Sequence, residues 1–521
     1  MTRLFVIFFL SIFENGFSQF LNVKVGDGNA EEPSIFINPK NTNNIVAGAN
    51  INYVYHSMDG GLSWSVDNLT SPYGVWGDPC IFTDTAGNFY YVHLSNPPAD
   101  SGHWIDRIVC QKSTDQGVTW SSGTYTGLIG NHNQDKAWTT VDPQTNSIYI
   151  TWTDFEAYGS SSPNDSSVIL FSKSVDEGAT WRKPLRISKL AGDCIDSDNT
   201  AEGAVPAVGA NGEVYVAWSN RDTIFFDKSL DGGKTWMAED GIISDQPGGW
   251  DFFVPGLQRC NGFPITRCDL SGSAYNGTIY VNWADQRNGT DNTDVWISSS
   301  TDNGVTWSLP LKVNDDNLNK HQFLTWMDVD QANGNIYIIF YDRRNYSDET
   351  TDVFLAYSTD GGNSFINQKI SDVPFIPNTS AFFGDYSNIS AFNGKIAPIW
   401  TRQDGSSTSV WTAIIDFSTL TEETPDFKTD HFILLQNFPN PFSDITRIEM
   451  NIDVPGHYSL SLYDLLGLKV ADIISNEFLS KGNHSLTLNS SSLNLSLGSY
   501  YYSLQKGNEV QTKRLLFLRP E

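Results

Sequence analysis

Residues 300–307 read STDNGVTW, and the chain repeats this octapeptide with small edits five more times. The other copies are SMDGGLSW from Ser57, STDQGVTW from Ser113, SVDEGATW from Ser174, SLDGGKTW from Ser229 and STDGGNSF from Ser358. Their starts lie 56, 61, 55, 71 and 58 residues apart, so the repeating unit is too long for a hairpin and suits four short strands. Inside each copy the Asp accepts hydrogen bonds from its own turn, the Gly takes a positive φ, and the closing Trp or Phe covers the turn with apolar area. Asp59, Asp115, Asp176, Asp231, Asp302 and Asp360 are therefore read as structural residues that pin a turn and touch no substrate.

Working outward from the octapeptides, a second phrase recurs: NSIYITWTD, GEVYVAWSN, GTIYVNWAD, GNIYIIFYD, GKIAPIWTR and the weaker GNFYYVH. Each is a β-branched and aromatic run behind a Gly or Asn turn, which reads as a strand. A shorter strand precedes each unit, in EPSIFINP, GDPCIFTD, AWTTVDP, AVPAVGA, FPITRCDL, TWMDVD and DYSNISAF. These count seven units against six octapeptides. The seventh lacks an outer fourth strand, while FLNVKVG at residues 20–26 is a strand without a unit, and the two deficits cancel. The expected fold is all-β: a seven-bladed β-propeller over residues 20–417 whose ring closes when the N-terminal strand completes the last blade, removing an exposed edge. Residues 20–417 give about 57 per blade for seven blades and about 66 for six, the alternative count; the first matches the repeat.

The composition suits a large exported β protein. Aromatics make up 13% of the 521 residues, and 42 Gly and 22 Pro are spread through the turns. The formal charge of −28 disfavours nucleic acid and anionic membrane as partners. Residues 1–19 carry one cation, Arg3, then an apolar run, and read as a secretory signal too short to span a membrane. No later segment approaches eighteen consecutive apolar residues, so no membrane span is expected. Cys80, Cys110, Cys194, Cys260 and Cys268 are odd in number and lack metal-site spacing; Cys260 with Cys268 is the expected local pair.

Two resemblances follow from these motifs. The octapeptide resembles the Asp-box, or bacterial neuraminidase repeat, and WGDP, NWADQR, YDRR and FFGDY resemble phrases of sialidase-like propellers from secreted bacterial proteins. Such propellers include sialidases, other glycosidases, polysaccharide lyases and proteins without known chemistry. After Phe432 the phrases ILLQNFPNPFSDITRIEMNI, YSLSLYDLLGLKV, GNHSLTL and GSYYYSLQKG resemble the C-terminal sorting domain of type IX secretion. This resemblance implies a small β-sandwich over residues 432–521, a polar linker at 418–431, the type IX machinery as partner, and release or display at the surface of a Gram-negative bacterium.

Chemistry is expected on the face opposite the octapeptide turns, where first strands begin and second strands end. Asp78, Asp135 with Lys136, Glu202 and Asp385 stand at or just before first strands; Asp154, Arg221, Asp285, Arg287, Asp342, Arg343 and Arg402 follow second strands. Carboxylates and guanidiniums around one funnel suit sugar hydroxyls and acidic sugars. Trp76, Trp138, Trp250 and Trp326, with His93, His103, His132 and His321, fall on the same side. By resemblance to sialidases, Tyr386 takes the part of the nucleophile, Glu202 its activating partner, and Arg287 and Arg343 two members of a carboxylate clamp, approaching one anion from adjacent blades. The early Arg-Ile-Pro motif of that family is absent, and no arginine stands between Arg3 and Arg107. Asp78 and Asp135 complete the catalytic candidates; Arg221, Asp285, Arg287, Asp342, Arg343, Asp385 and Arg402 are the binding candidates. No cofactor is required by this reading, and the DNTD run at 291–294 is where Ca²⁺ would be sought. The reading leaves two functions open: cleavage of a glycan by a hydrolase or lyase, or binding of a glycan or protein without catalysis.

Overall fold

The computed structural model describes residues 20–98, 102–421, 432–464, 468–491, 495–507 and 509–518. The expected signal segment, 1–19, lies outside the described residues, as does most of the expected linker. The chain divides into two compact units, Met1–Leu420 and Thr421–Glu521. Both are built of β-strands.

The first unit consists of seven four-stranded antiparallel sheets and one extra two-stranded ribbon. The sheets begin, in chain order, with the strands Ser34–Ile37, Gly77–Thr83, Asn133–Val141, Glu202–Val208, Ile265–Cys268, Gln322–Val329 and Asn388–Phe392. Each first strand adjoins the first strand of the next sheet, and the last adjoins Ser34–Ile37, so the order is cyclic although no sheet closes on itself. Second strands such as Val214–Asn220, Ile279–Asp285 and Ile336–Asp342 are buried along their whole length. Both their faces pack on neighbouring sheets, which is why their sequences run apolar with little alternation. Fourth strands such as Ser65–Asn68 are exposed.

The six octapeptides form one repeated turn between third and fourth strands. In the copy that begins at Ser300, the Ser300 hydroxyl donates to Asp302 Oδ1 at 2.8 Å, the Thr306 amide donates to the same oxygen at 2.9 Å, and the Gly304 amide donates to Ser300 Oγ at 2.9 Å. The Thr306 hydroxyl, which donates to Asp302 Oδ2 at 2.6 Å, then the Thr306 amide and the Ser300 hydroxyl hold the Asp302 carboxyl below its usual range. Gly304 has φ +71°, and a Cβ there would lie 2.4 Å from the Phe226 ring of the preceding sheet. Trp307 meets the same ring at 5.1 Å, so the turn also staples one sheet to the next.

Closure comes from the other end of the chain. Leu21–Gly26 pairs antiparallel with Ser407–Asp416, Leu21 opposite Ile414, as the outer strand of the last sheet. Asn22 adds a clamp: its Nδ2 donates to Ile370 O at 2.8 Å and its Oδ1 accepts from the Asp372 amide at 2.9 Å.

One expectation fails. All five cysteines are free and buried, so Cys260 and Cys268 form no bridge. Cys260 lies in the extra ribbon, whereas Cys268 ends the strand Ile265–Cys268, and extended chain at about 3.3 Å per residue carries the two sulfurs apart.

The second unit has a three-stranded sheet, Phe432–Leu434, Ile445–Ile452 and Gly482–Asn489, and a four-stranded sheet, Lys469–Leu479, Gly456–Tyr463, Gly498–Lys506 and Glu509–Phe517. Ile448, Met450 and Leu488 of one sheet share an apolar core with Leu460, Leu462, Tyr502 and Leu504 of the other. Strict alternation along Ile445–Ile452 places one face inward and the other outward.

Deleting residues 20–26 removes the outer partner of Ser407–Asp416 and the Asn22 clamp. At about 1 kcal/mol per hydrogen bond, the loss should reach several kcal/mol, seen as a lower Tm and a rise in aggregate by size-exclusion chromatography. An unchanged Tm would show that the strand does not close the ring.

Candidate functional site

The same irregularity recurs where four of the first strands begin. Gly77 pairs with Leu94 but Cys80 with Val92; Asp135 pairs with Thr153 but Trp138 with Thr151; Glu202 and Val205, and Phe323 and Trp326, repeat the shift. Each is a β-bulge with one extra residue on the first strand. The bulged residue has positive φ in every case: Asp78 at 51°, Lys136 at 48°, Gly203 at 79° and Leu324 at 49°. Glu32, with φ 50°, stands ahead of the first sheet. Non-glycine residues cost about 1 to 2 kcal/mol in this region, and here the strain turns charged side chains toward one another.

Those side chains form a single buried cluster around the Lys136 ammonium. Its Nζ lies 2.8 Å from Asp385 Oδ2, 3.3 Å from Asp78 Oδ2 and 3.5 Å from Glu32 Oε1. Glu32 Oε1 also accepts the Asp385 amide at 3.0 Å, and Glu32 Oε2 accepts from Asn50 Nδ2. The Tyr386 hydroxyl donates to Asp78 Oδ1 at 3.5 Å. Asp78, Asp135, Lys136, Glu202, Asp385 and Tyr386 are all at most 8% exposed. The sequence-derived catalytic candidates therefore come together, joined by Lys136 and by Glu31 and Glu32, which sequence reasoning missed.

Burial divides the protonation states of the cluster. It pushes Glu32, Asp135 and Glu202 well above the carboxylate range, with neighbouring carboxylates adding to the effect. Glu31 is pushed up to about 8 for the same reason. Asp385 resists burial because Arg259 and Lys136 outweigh it, and it is held below its usual range. Asp78 is likewise lowered, since Lys136 and hydrogen bonds from Glu32 and Asp135 outweigh its burial. Glu202 is fully buried and neither of its side-chain oxygens has a hydrogen-bond partner. The Tyr386 phenol is pushed up by burial, then by Asp78 and Glu32. Its acidic neighbour is Asp78, not the Glu202 that the sialidase resemblance implied.

Arg259 covers the cluster. It comes from the ribbon Asp251–Phe252 and Cys260–Asn261, inside the longest repeat interval. Its Nε donates to Asp385 Oδ1 at 2.8 Å and its Nη1 to Asp196 Oδ2 at 2.7 Å. The Tyr158 hydroxyl donates to the same Asp196 oxygen at 2.5 Å. Tyr158 packs edge-on against Trp104 at 5.2 Å, and Trp104 against Trp76 at 5.6 Å. Trp76 and Trp104 are exposed at 39% and 36%. A path of contacts thus runs from two surface indoles through Tyr158, Asp196 and Arg259 to Asp385 and Lys136. Arg259 had no sequence signal beyond the extra length of its interval, and Asp196, in the shortest interval, had none.

The expected aromatic rim is mostly interior. Trp138, Trp250 and Trp326 are buried; Trp138 meets Trp326 at 5.8 Å and Phe263 at 6.0 Å, and Trp326 meets Tyr386 at 5.9 Å. Trp138 and Trp326 pack against Tyr386 beside the charged cluster, and Trp250 against Phe263. His93 and His321 are pushed down to about 4 by burial, and His132 Nδ1 lies 2.9 Å from Asp154.

The second-strand residues do not converge. Arg287 is bound by Asp285, with Nε 2.9 Å from Oδ1, lies over Trp296 and donates to Asp245 O of the previous sheet. The equivalent arginine in the next sheet is Arg344, which pairs with Asp342 at 2.7 Å; Arg343 is offset by one residue. Arg343 donates to Thr351 Oγ1 at 3.0 Å and Pro255 O at 2.8 Å over the Phe323 ring, and shares no partner with Arg287. Its guanidinium lacks a carboxylate, and burial lowers it to about 10. Asp342 is pushed up to about 6 by burial against the pull of Arg344. Arg402 is held by Asp404, and Arg221 is exposed on the turn after Asn220 with φ 57°. In the DNTD run, Asp294 accepts from Asn288 and Asn314, and among the described residues no group of three His, Cys, Asp or Glu is arranged to hold a metal ion. No helix among the described residues is long and apolar enough to cross a membrane.

Residues 436–517 match the family described as the secretion system C-terminal sorting domain, so the second unit is a sorting domain. No curated protein matches the chain. Among solved structures, an ulvan lyase of a polysaccharide lyase family, bound to a glucuronate–rhamnose sulfate unit, is 13% identical with TM-score 0.48, covering 76% of this chain and 96% of its own. An α-L-arabinanase of Penicillium chrysogenum is 14% identical with TM-score 0.44 over 65% of this chain and 93% of its own. The NanB sialidase of Streptococcus pneumoniae is 9% identical with TM-score 0.44, over 72% and 84%.

Glu31 sets a pH dependence. A carboxyl raised from its ordinary 4.5 to about 8 on folding contributes stability that is whole below pH 4.5 and lost as pH rises to about 8. The Tm should therefore fall across this window, and Glu31→Gln, which titrates nowhere, should flatten the fall. Arg259→Ala should cost about 3 kcal/mol in urea unfolding, because Asp385 loses one of its two cations in a buried setting.

Proposed function

We propose that the mature chain is an exported seven-bladed Asp-box β-propeller that cleaves glycans at the face where its first strands begin. In this reading residues 1–19 are a signal peptide, the second unit engages the type IX secretion machinery, and the product is released from or displayed on a Gram-negative cell.

One observation carries the catalytic part. Glu202 is buried without a hydrogen-bond partner and pushed well above the carboxylate range, while Lys136 and Arg259 nearby hold Asp78 and Asp385 below it. Carboxyl groups pushed apart in this way divide into an acid and a base. Glu202 would give its proton to the glycosidic oxygen as the C–O bond breaks. Asp78 would take the proton of Tyr386 or of the attacking water, and the Tyr386 hydroxyl already points at it. The Arg259 bridge must open for a sugar to reach Glu202. Trp76 and Trp104 supply exposed faces on which a sugar ring stacks.

The low exposure of the same cluster favours a second reading, in which it is a structural hub and the exposed aromatics bind a glycan without cleaving it. Glu202→Gln keeps the shape and removes the acid. Against a panel of glycans it should lower kcat/KM at least about 100-fold while leaving Kd nearly unchanged. Binding by the wild-type protein with no cleavage of any glycan would select the second reading. Removing residues 430–521 should leave a folded first unit that is retained within the cell envelope, measured by fractionation; normal release would count against the sorting role in this chain.

A further inference from the structure

We infer that this site takes sugars bearing a free ammonium, with neutral sugars second, and rejects acidic ones. The inference rests on the glycan reading above and reverses the ligand charge expected from the sequence.

The cations around this site are already committed to other groups or covered. Acceptance of a carboxylate or sulfate needs a cation with unused donors. Lys136 has three carboxylates within 3.5 Å. Arg259 is divided between Asp385 and Asp196. Arg287, Arg344 and Arg402 are paired with Asp285, Asp342 and Asp404. Arg343 is 3% exposed and covered by Phe323 and Pro255. Arg221 is exposed but stands beside Asp222.

The carboxylates, in contrast, have capacity left. Asp193, Asp196, Asp198 and Asp251 are partly exposed around the Arg259 ribbon. Ser197 Oγ donates to Asp251 Oδ2 at 3.1 Å, and the Asp251 amide donates to Asp198 Oδ1 at 2.8 Å, so these loops hold their acids together. Beneath them the buried Glu202 keeps both oxygens without hydrogen-bond partners. An ammonium on a sugar ring stacked at Trp104 and Tyr158 would sit beside Asp196 and relieve a local excess of negative charge. An added carboxylate would increase it, in a protein already at −28.

Elimination by a lyase removes the C5 proton of a uronate, whose carboxylate must be neutralised to acidify that proton. With Lys136 and Arg259 committed to the protein's own carboxylates, hydrolysis is the chemistry left.

The test is calorimetric binding by the full mature chain of three short oligosaccharides: a glucosamine oligomer, its N-acetylated counterpart and an oligogalacturonate. At about pH 6 and low salt the glucosamine oligomer should bind at least about tenfold tighter than the N-acetylated one, and the oligogalacturonate weakest. Raising salt from about 0.05 to 0.5 M should shrink the preference. Asp196→Asn and Asp251→Asn should each erode the ratio of the two Kd values several-fold. Tighter binding of the oligogalacturonate, or equal binding of all three, overturns the charge selectivity alone. Binding of none of the three, or of further neutral glycans, overturns the glycan reading with it. The wild-type ranking decides the matter if a variant fails to fold.

Discussion

The first unit depends on one buried ammonium. Lys136 belongs to the third sheet, Asp78 to the second, Glu32 to the segment leading into the first, and Asp385 to the segment leading into the last, so one side chain ties four of the seven sheets across the point where the ring closes. Desolvating such charges costs several kcal/mol per ion, and the Coulombic return is adequate only when geometry and hydrogen bonding are good. The cluster meets that condition unevenly. The Asp385 carboxylate is held by Lys136 and Arg259, and its amide by Glu32, whereas Glu202 is left bare. A cluster that existed for stability alone would have no use for the second feature, since an unsatisfied buried carboxyl is a cost without a return.

The two ends of the sheets divide the work. At one end, six nearly identical turns spend their hydrogen bonds inside the turn; the fifth-position glycine has positive φ in every copy, and at Gly233 and Gly304 the neighbouring ring also leaves no room for a Cβ. That end is built by repetition. At the other end the repetition is in the backbone, as bulges at matching positions, while the side chains they present differ: Asp78, Lys136, Gly203 and Leu324. A common scaffold device thus places a different group at each sheet, which is how a repeat protein acquires an asymmetric site.

The octapeptide period, the first strands and the closing strand were legible because each is written in local chemistry: turn residues at fixed spacing and apolar runs between them. The cluster was legible only in part. Asp78, Asp135, Glu202 and Asp385 could be found from their places at strand starts, but Glu32 reaches Asp385 across 353 residues, a contact that only ring closure makes. Arg259 lies on an insertion outside the repeat, so no periodic argument reaches it. The error over Arg343 has a simple origin. NWADQR and YDRR look alike, yet the shared device is an Asp followed two residues later by an Arg, which selects Arg287 and Arg344 and leaves Arg343 to a separate, buried setting. The tryptophans misled for another reason: a large ring near a strand start fills the space between sheets before it can line a rim.

The free thiols fit this picture of closure. Exported chains often rely on disulfides to constrain long loops, and this one holds five buried cysteines, none of them bridged. Bringing residue 21 to residue 414 closes a loop whose entropic cost grows only as the logarithm of its length, on the order of 5 kcal/mol for nearly 400 residues. The ladder between Leu21–Gly26 and Ser407–Asp416, the Asn22 clamp and buried Val25 offset that cost through several hydrogen bonds at about 1 kcal/mol each. The Lys136 cluster then locks the same seam from the axis. Burial raises the thiols, Cys260 and Cys110 among them, which keeps them protonated and unreactive. The seam is therefore held by groups that can separate and re-form, and the Arg259 ribbon is tied over the cluster by ion pairs and hydrogen bonds, with no covalent bridge to prevent it from lifting.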